Sequence, residues 1–420
     1  MSKAWNAHEV GYCDLDGRTG FKLAIQEVKD RFYLYTGALW EPGLSIVEVT
    51  DPAHPRLVRW IPGPPNTWTL QVQVAHGRMI TNLEHVPKGW GGGASDAPPQ
   101  DGFVVWDVRD PDDPKRLGQW SSGGTGTHRN HYDGGRYVHA ATSQPGFVGR
   151  IYGIVDIDEP EAPRLVGRWW YPGQHQAGGE VFSDLDERKR TTGRPAGNEP
   201  IALHGPAYRQ RDRAYCSWSR GGMVILDISD VTSPRPISIL SAYPPLGSTC
   251  GMHTVLPIPE RKIAVVNDEA LNEHRAEPLN FAGIVDLSDE RDPILLSLFP
   301  VPEPPDGETD DFFERGGRFG PHNQHHPQGQ ACLQRSGDLI YLTYFNAGLQ
   351  VFDIADPRRP RIAAYYIPED PTSRRGPLPK ELATQVEDVI VDRRGYIYLS
   401  EKNSGIHVVR LDAALEKRMS

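Results

Sequence analysis

The sequence predicts an all-β protein, a seven-bladed β-propeller closed by an N-terminal strand that completes the last blade. Three observations carry this expectation. One strand-and-turn pattern recurs along the whole chain. Its copies stand about 60 residues apart, room for a four-stranded antiparallel sheet with its loops. Gly (43) and Pro (38) together make 81 of 420 residues, a usage suited to short strands joined by tight turns.

The pattern is a β-branched run, an acid, a short turn, a proline and a second strand. Its copies begin at Ser45-Ile-Val-Glu, Phe103-Val-Val-Trp-Asp, Tyr152-Gly-Ile-Val-Asp, Met223-Val-Ile-Leu-Asp, Ala282-Gly-Ile-Val-Asp and Leu349-Gln-Val-Phe-Asp, with a worn copy at Ile406-His-Val-Val-Arg. The marker acids are Glu48, Asp107, Asp156, Asp227, Asp286 and Asp353, and Arg410 stands in the seventh. A proline follows seven residues later in all six full copies: Pro55, Pro114, Pro163, Pro234, Pro293 and Pro360. The β-branched run reads as a buried strand. The acid accepts backbone hydrogen bonds in the turn and proline presets φ. Runs such as Arg56-Leu-Val-Arg-Trp-Ile-Pro return as outer strands, and two further strands precede each marker.

Seven units over one domain, 1–420, place the blades at roughly 20–62, 66–121, 126–172, 201–244, 250–300, 320–368 and 384–412. The seventh unit ends after its third strand, so residues 9–17 are expected to supply the fourth and lock the ring. These copies resemble the LVIVD-repeat β-propeller family over about residues 20–412. The resemblance implies architecture and no single activity.

Composition narrows the partners. Formal charge is −10 with no basic block, which argues against nucleic acid or an anionic membrane surface. No apolar run approaches the ~20 residues of a membrane-spanning helix, and Met1–His8 has no apolar signal core. Cys13, Cys216, Cys250 and Cys332 are scattered without a CxxC pair, which favours a reducing compartment and disfavours a disulfide framework or thiolate zinc site. The expectation is a cytoplasmic protein acting on a small molecule.

In a propeller the first strand of each blade lines the axial channel, so one residue per blade can converge there. Four consecutive blades carry a histidine in that region: His128, His204, His253 and His322. Blades 1, 2 and 7 carry Gln26, Gln71 with Gln73, and Glu387 at comparable places. Four histidines in register, out of 15 in the chain, point to a metal ion held by imidazoles. Imidazole suits iron, copper, zinc and nickel. Fe(II) is the first expectation, with Cu, Zn and Mn as alternatives. Glu180, Glu269 and Glu387 are candidates to orient the ligating rings from behind. His131 and Glu387 are candidate catalytic bases, and His325 and His326 read as further ligands, proton carriers or plain polar residues.

The arrangement is similar to that of the carotenoid cleavage oxygenases, seven-bladed propellers whose Fe(II) is held by four histidines backed by glutamates. It also looks like the histidine copper centre of the selenium-binding, methanethiol-oxidising propellers. The resemblance carries over only as a four-imidazole centre at His128, His204, His253 and His322, here on adjacent blades.

Insertions at 83–93, 173–200, 271–278 and 303–320 are expected on one rim. Trp90, Phe312, Phe313 and Phe319 offer an apolar entrance there, and Arg315 and Arg318 an anion hold. Gly89-Trp-Gly-Gly-Gly lacks the Lys-Ser/Thr of a phosphate loop, and the chain has no GxSxG elbow. The leading expectation is a non-haem iron oxygenase acting on a small apolar or aromatic substrate. The alternatives are a redox-neutral metal-dependent hydrolase or lyase, and a non-catalytic binding propeller.

Overall fold

Seven antiparallel sheets follow one another along the chain and close into a propeller ring in the computed structural model, which describes residues 2–91, 95–191, 201–241, 250–274, 279–307, 311–335 and 337–418. Parts of the four rim insertions (92–93, 192–200, 275–278 and 308–310) and the end of blade 4 (242–244) lie outside the described residues. No described helix is long and apolar enough to cross a membrane.

Blade 1 shows the unit: Leu23–Val28, Arg31–Gly37, Gly43–Glu48 and Arg56–Pro62 pair in that order from the axis outward. The β-branched run is the third strand and the segment after the proline is the outer one. In blades 1–6 the register between these two strands slips at the same place, as at Ile46/Val47 and Val351/Phe352. The slip adds local twist where the strand turns away from its neighbour. The marker acid holds the turn that follows. Asp156, Asp227, Asp286 and Asp353 each accept the backbone N–H two residues on, at 2.8–3.0 Å. That bond and the fixed φ of proline are the reason the motif recurs.

Closure uses the N-terminus twice. Ala7–Cys13 pairs with Gly405–Leu411 and forms the outer strand of blade 7. The expected segment, 9–17, therefore shifts to 7–13, because Leu15–Gly17 leaves the sheet as a single 3-10 turn with Leu15 fully buried. Lys3–Trp5, which the repeat pattern does not mark, adds the fourth and outermost strand of the blade 6 sheet, outside Arg361–Ile367.

The core lies between blades. Ala141, Tyr152 and Ile154 of blade 3 pack on Leu203, Cys216, Trp218 and Val224 of blade 4, all fully buried. Trp218 donates its indole N–H to Gln174 Oε1 at 3.0 Å, so the largest core side chain keeps a polar partner. Two-sided burial explains why the third strands are continuous apolar runs.

Candidate metal centre

His128 and His253 sit at the beginnings of their blades' first strands, His204 and His322 in the segments leading into theirs, and the four rings come together in sequence. Ring centroids step from His128 to His204 (4.9 Å), His204 to His253 (4.9 Å) and His253 to His322 (4.8 Å). Local backbone irregularity aims them. In blades 3, 5 and 7 the first strand slips register between Thr127 and Asn130, Met252 and Thr254, and Val386 and Asp388. His128, His253 and Glu387 occupy those slips, and a bulge re-aims a side chain that would otherwise point into the neighbouring blade. In blade 6 the first strand is irregular. His322 N–H still donates to Thr343 O (2.9 Å) and His325 N–H to Tyr341 O (3.0 Å), so His322 keeps the inner position.

Glu269, considered only as a supporting acid, stands in the middle. Its Oε2 is 3.1 Å from His204 Nε2 and 3.4 Å from His253 Nε2, and its Oε1 is 3.5 Å from His322 Nε2. His253, His322 and Glu269 form one group able to hold an ion; His204, Cys250 and Glu269 form a second that shares the carboxylate. Cys250 Sγ lies 3.5 Å from His204 Nδ1, so one of the scattered cysteines does reach the centre. His128 is the outlying ring, its Nδ1 2.7 Å from Glu84 Oε2.

The other ring nitrogens are held. His253 Nδ1 is 2.7 Å from Thr254 Oγ1, and His322 Nδ1 is 2.8 Å from the Glu387 carbonyl. These contacts leave Nε2 of both rings facing Glu269, the arrangement that ligating imidazoles need. Burial holds His128 and His253 well below their ordinary pKa and His322 down to about 3, so all three are neutral, as metal binding requires. Burial also pushes the Glu269 carboxyl upward, but its contacts with His253, His322 and His204 outweigh that and hold it well below the ordinary carboxylate range.

Buried cations surround this core. Arg318 donates to Glu269 Oε1 (3.1 Å) and Glu387 Oε1 (3.2 Å), and Lys402 Nζ lies 2.8 Å from Glu387 Oε1. Arg129 Nη2 is 3.2 Å from His322 Nε2. Burial favours a neutral Glu387, yet Lys402, Arg318 and His322 hold it below its ordinary value. Glu387 is thus a clamped anion behind His322. His131 does not join the centre; its ring meets His139, Tyr208 and His326. His325 is tied into the backbone, accepting from Val391 N–H and bonding Gln334 O.

Several expected rim residues have other work. Glu180 accepts from Trp170 Nε1, Gly173 N–H and His175 N–H, which folds its own loop. Phe312 and Phe319 are buried in the core between blades 5 and 6, with Phe313 packed against them. Arg315 binds the Asn346 carbonyl and Asp370. Trp90 joins Trp40, Trp68 and Phe21 in an apolar cluster that Arg318 and Lys402 overlie at 5.7 and 5.6 Å from the Trp90 ring.

A repeated sequence signal for the supporting acids went unread. Asn82-Leu-Glu84 and Asn267-Asp-Glu269 occupy the ends of the second strands of blades 2 and 5. Each Asn donates to a carbonyl on the next blade's first strand, Thr127 O (3.0 Å) and His322 O (2.8 Å). The Glu two residues on then reaches that blade's histidine. Asn-x-Glu is a two-point clamp, readable only once adjacent blades are in register.

The LVIVD repeat model matches residues 212–239, the second to fourth strands of blade 4. A search of curated proteins finds no match. Among solved structures, the periplasmic gluconolactonase PpgL of Pseudomonas aeruginosa is similar with a TM-score of 0.53 and 12% identity over 92% of this chain and 93% of that one. The computationally designed Ika8 protein gives a TM-score of 0.50 and 10% identity over 96% of this chain and 99% of that one. At these identities the likenesses speak for the fold.

Proposed function

We propose that the chain is a metal-dependent oxidoreductase whose transition-metal ion, Fe(II) first, is held by His204, His253, His322 and Glu269, with His128 beside them. The observation that carries this reading is one carboxylate within 3.1–3.5 Å of three imidazole Nε2 atoms. Three imidazole nitrogens and one carboxylate suit iron, copper, zinc or manganese better than the oxygen-only sets of calcium and magnesium. When bound, such an ion supplies Lewis acidity and open positions for O₂ or substrate. The chain's own residues do the rest. Glu387, clamped by Lys402 and Arg318, fixes His322; Glu84 fixes His128; Phe345, stacked on His322 at 4.6 Å, keeps that side dry.

An oxidative reaction is favoured because neither candidate base faces the open side of the centre: Glu387 sits behind His322, its Oε2 3.3 Å from His322 Nδ1. Glu387 is paired twice, and His131 belongs to a different ring cluster. A redox-neutral hydrolysis or lysis has one supporting observation, Glu84, whose carboxyl burial pushes upward beside His128.

Elemental analysis of protein purified without chelator tests the metal, with about one ion per chain expected. His204→Ala and His253→Ala should lose it; full retention in both overturns the assignment. Turnover that survives removal of O₂ selects the redox-neutral reading.

A further inference from the structure

The metal centre lies at the beginnings of the first strands. A cavity of about 370 Å³ lies at their ends, lined by His131, Arg209, Arg211, His326, Gln328 and Arg335. Its floor is unfinished. His131 is 1% exposed, and neither ring nitrogen has a hydrogen-bond partner; Gln328 Oε1, also buried, has none. Leaving such groups unpaired costs roughly 1–3 kcal/mol each, and both side chains belong to the cavity wall, where small ring and amide rotations would bring these atoms to a ligand. His326 accepts the Gln328 backbone N–H at Nδ1 (3.2 Å). In a neutral ring that leaves its proton on Nε2.

The rim is cationic. Arg209 is committed to Asp133, with Nη2 3.2 Å from Oδ2. Arg211 and Arg335 are exposed and face only Glu260 among the remaining charged lining residues. Three guanidinium groups against two carboxylates leave a surplus of one positive charge. Burial keeps His131 neutral at physiological pH, its pKa pulled down to about 4. A neutral imidazole offers one N–H and one lone pair, which is what a hydroxyl needs on both counts.

We propose that this cavity is a second ligand site, for a small hydroxylated organic monoanion whose carboxylate meets Arg211 and Arg335 and whose hydroxyls meet His131 and Gln328 Oε1. At ~30 Å³ per water-sized group the cavity admits roughly a dozen heavy atoms. The site stands independently of the metal centre.

Three matched probes test it by ligand-observed NMR titration of the full chain: glycerate, propionate (the charge without hydroxyls) and glycerol (hydroxyls without charge). Glycerate is expected to bind at least tenfold more tightly than either. The double variant Arg211→Gln/Arg335→Gln, both exposed and safe for folding, should bring glycerate down to the glycerol level. His131→Leu should bring it down to the propionate level, and all variants should keep native metal content. Glycerate binding no tighter than both truncated probes, or unchanged in Arg211→Gln/Arg335→Gln, overturns the proposal.

Discussion

Replacing Glu269 by Gln separates the metal-binding role proposed for this carboxylate from its structural one. The substitution keeps shape and removes the anion that touches three ring nitrogens, at 3.1, 3.4 and 3.5 Å. Losing a residue behind a ligand already weakens metal binding 10–100-fold, so losing a ligand should raise Kd at least about 100-fold. Metal at 100 times the native Kd stabilises the folded chain by about 2.7 kcal/mol. At the same concentration the variant gains RT ln 2, about 0.4 kcal/mol, so about 2.3 kcal/mol of metal-dependent stability disappears. The metal-free cost is a separate quantity. Arg318 loses its 3.1 Å partner but keeps Glu387 at 3.2 Å, so the loss should fall below the ~3–5 kcal/mol of stranding a buried charge. Urea unfolding of both proteins, with chelator and with added Fe(II) or Zn(II), measures the two terms. A Glu269→Gln chain with the native metal increment refutes the reasoning, whatever its metal-free stability.

Gly205→Ala should lower both melting temperature and metal content, because a Cβ there would lie 1.9 Å from the His253 carbonyl oxygen and force the backbone of this proposed ligand to move; calorimetry and elemental analysis report both. Burial pulls His325, as well as His131, down to a pKa of about 4, so the folded chain resists protons that the unfolded chain takes up near pH 6.5. Stability is therefore full above about pH 6.5 and lost as pH falls toward about 4, by up to about 1.4 kcal/mol per unit for each ring. Denaturant midpoints across that range check it, and a flat profile contradicts it. Deleting residues 2–13 should cost more than the ~0.5–3 kcal/mol of a typical point substitution, because it uncovers edges of two blades, and size-exclusion chromatography should show association.

Much of the architecture was legible because its cause is local. An acid that holds the backbone two residues on, followed by proline, needs no tertiary partner to be read, and it places six third strands. The histidine register followed from it. The support of the centre was legible only in part: Glu269 and Glu387 stand out in the sequence as supporting acids, but which histidine each one reaches is set between blades. Glu269 and Glu84 reach histidines of the next blade, and Glu387 of blade 7 reaches back to His322 of blade 6. Arg318 reads from sequence as an entrance cation, yet it is 5% exposed and bridges two carboxylates, because the loop carrying it turns inward. Lys3–Trp5 escaped notice because three residues at the edge of a sheet carry no periodicity of their own.

The double clasp at the N-terminus sets the order in which the ring can be assembled. Residues that leave the ribosome first find their partners last: the Asn6 side chain bonds the Ala363 carbonyl at 2.9 Å, across 357 positions of sequence. Until that late stretch is synthesised, blades 1 to 5 can stack side by side as an unclosed arc with an apolar flank open at each end. Such a half-made arc is a natural client for a holding chaperone, and bringing the first strand next to its mate by circular permutation would shorten the wait.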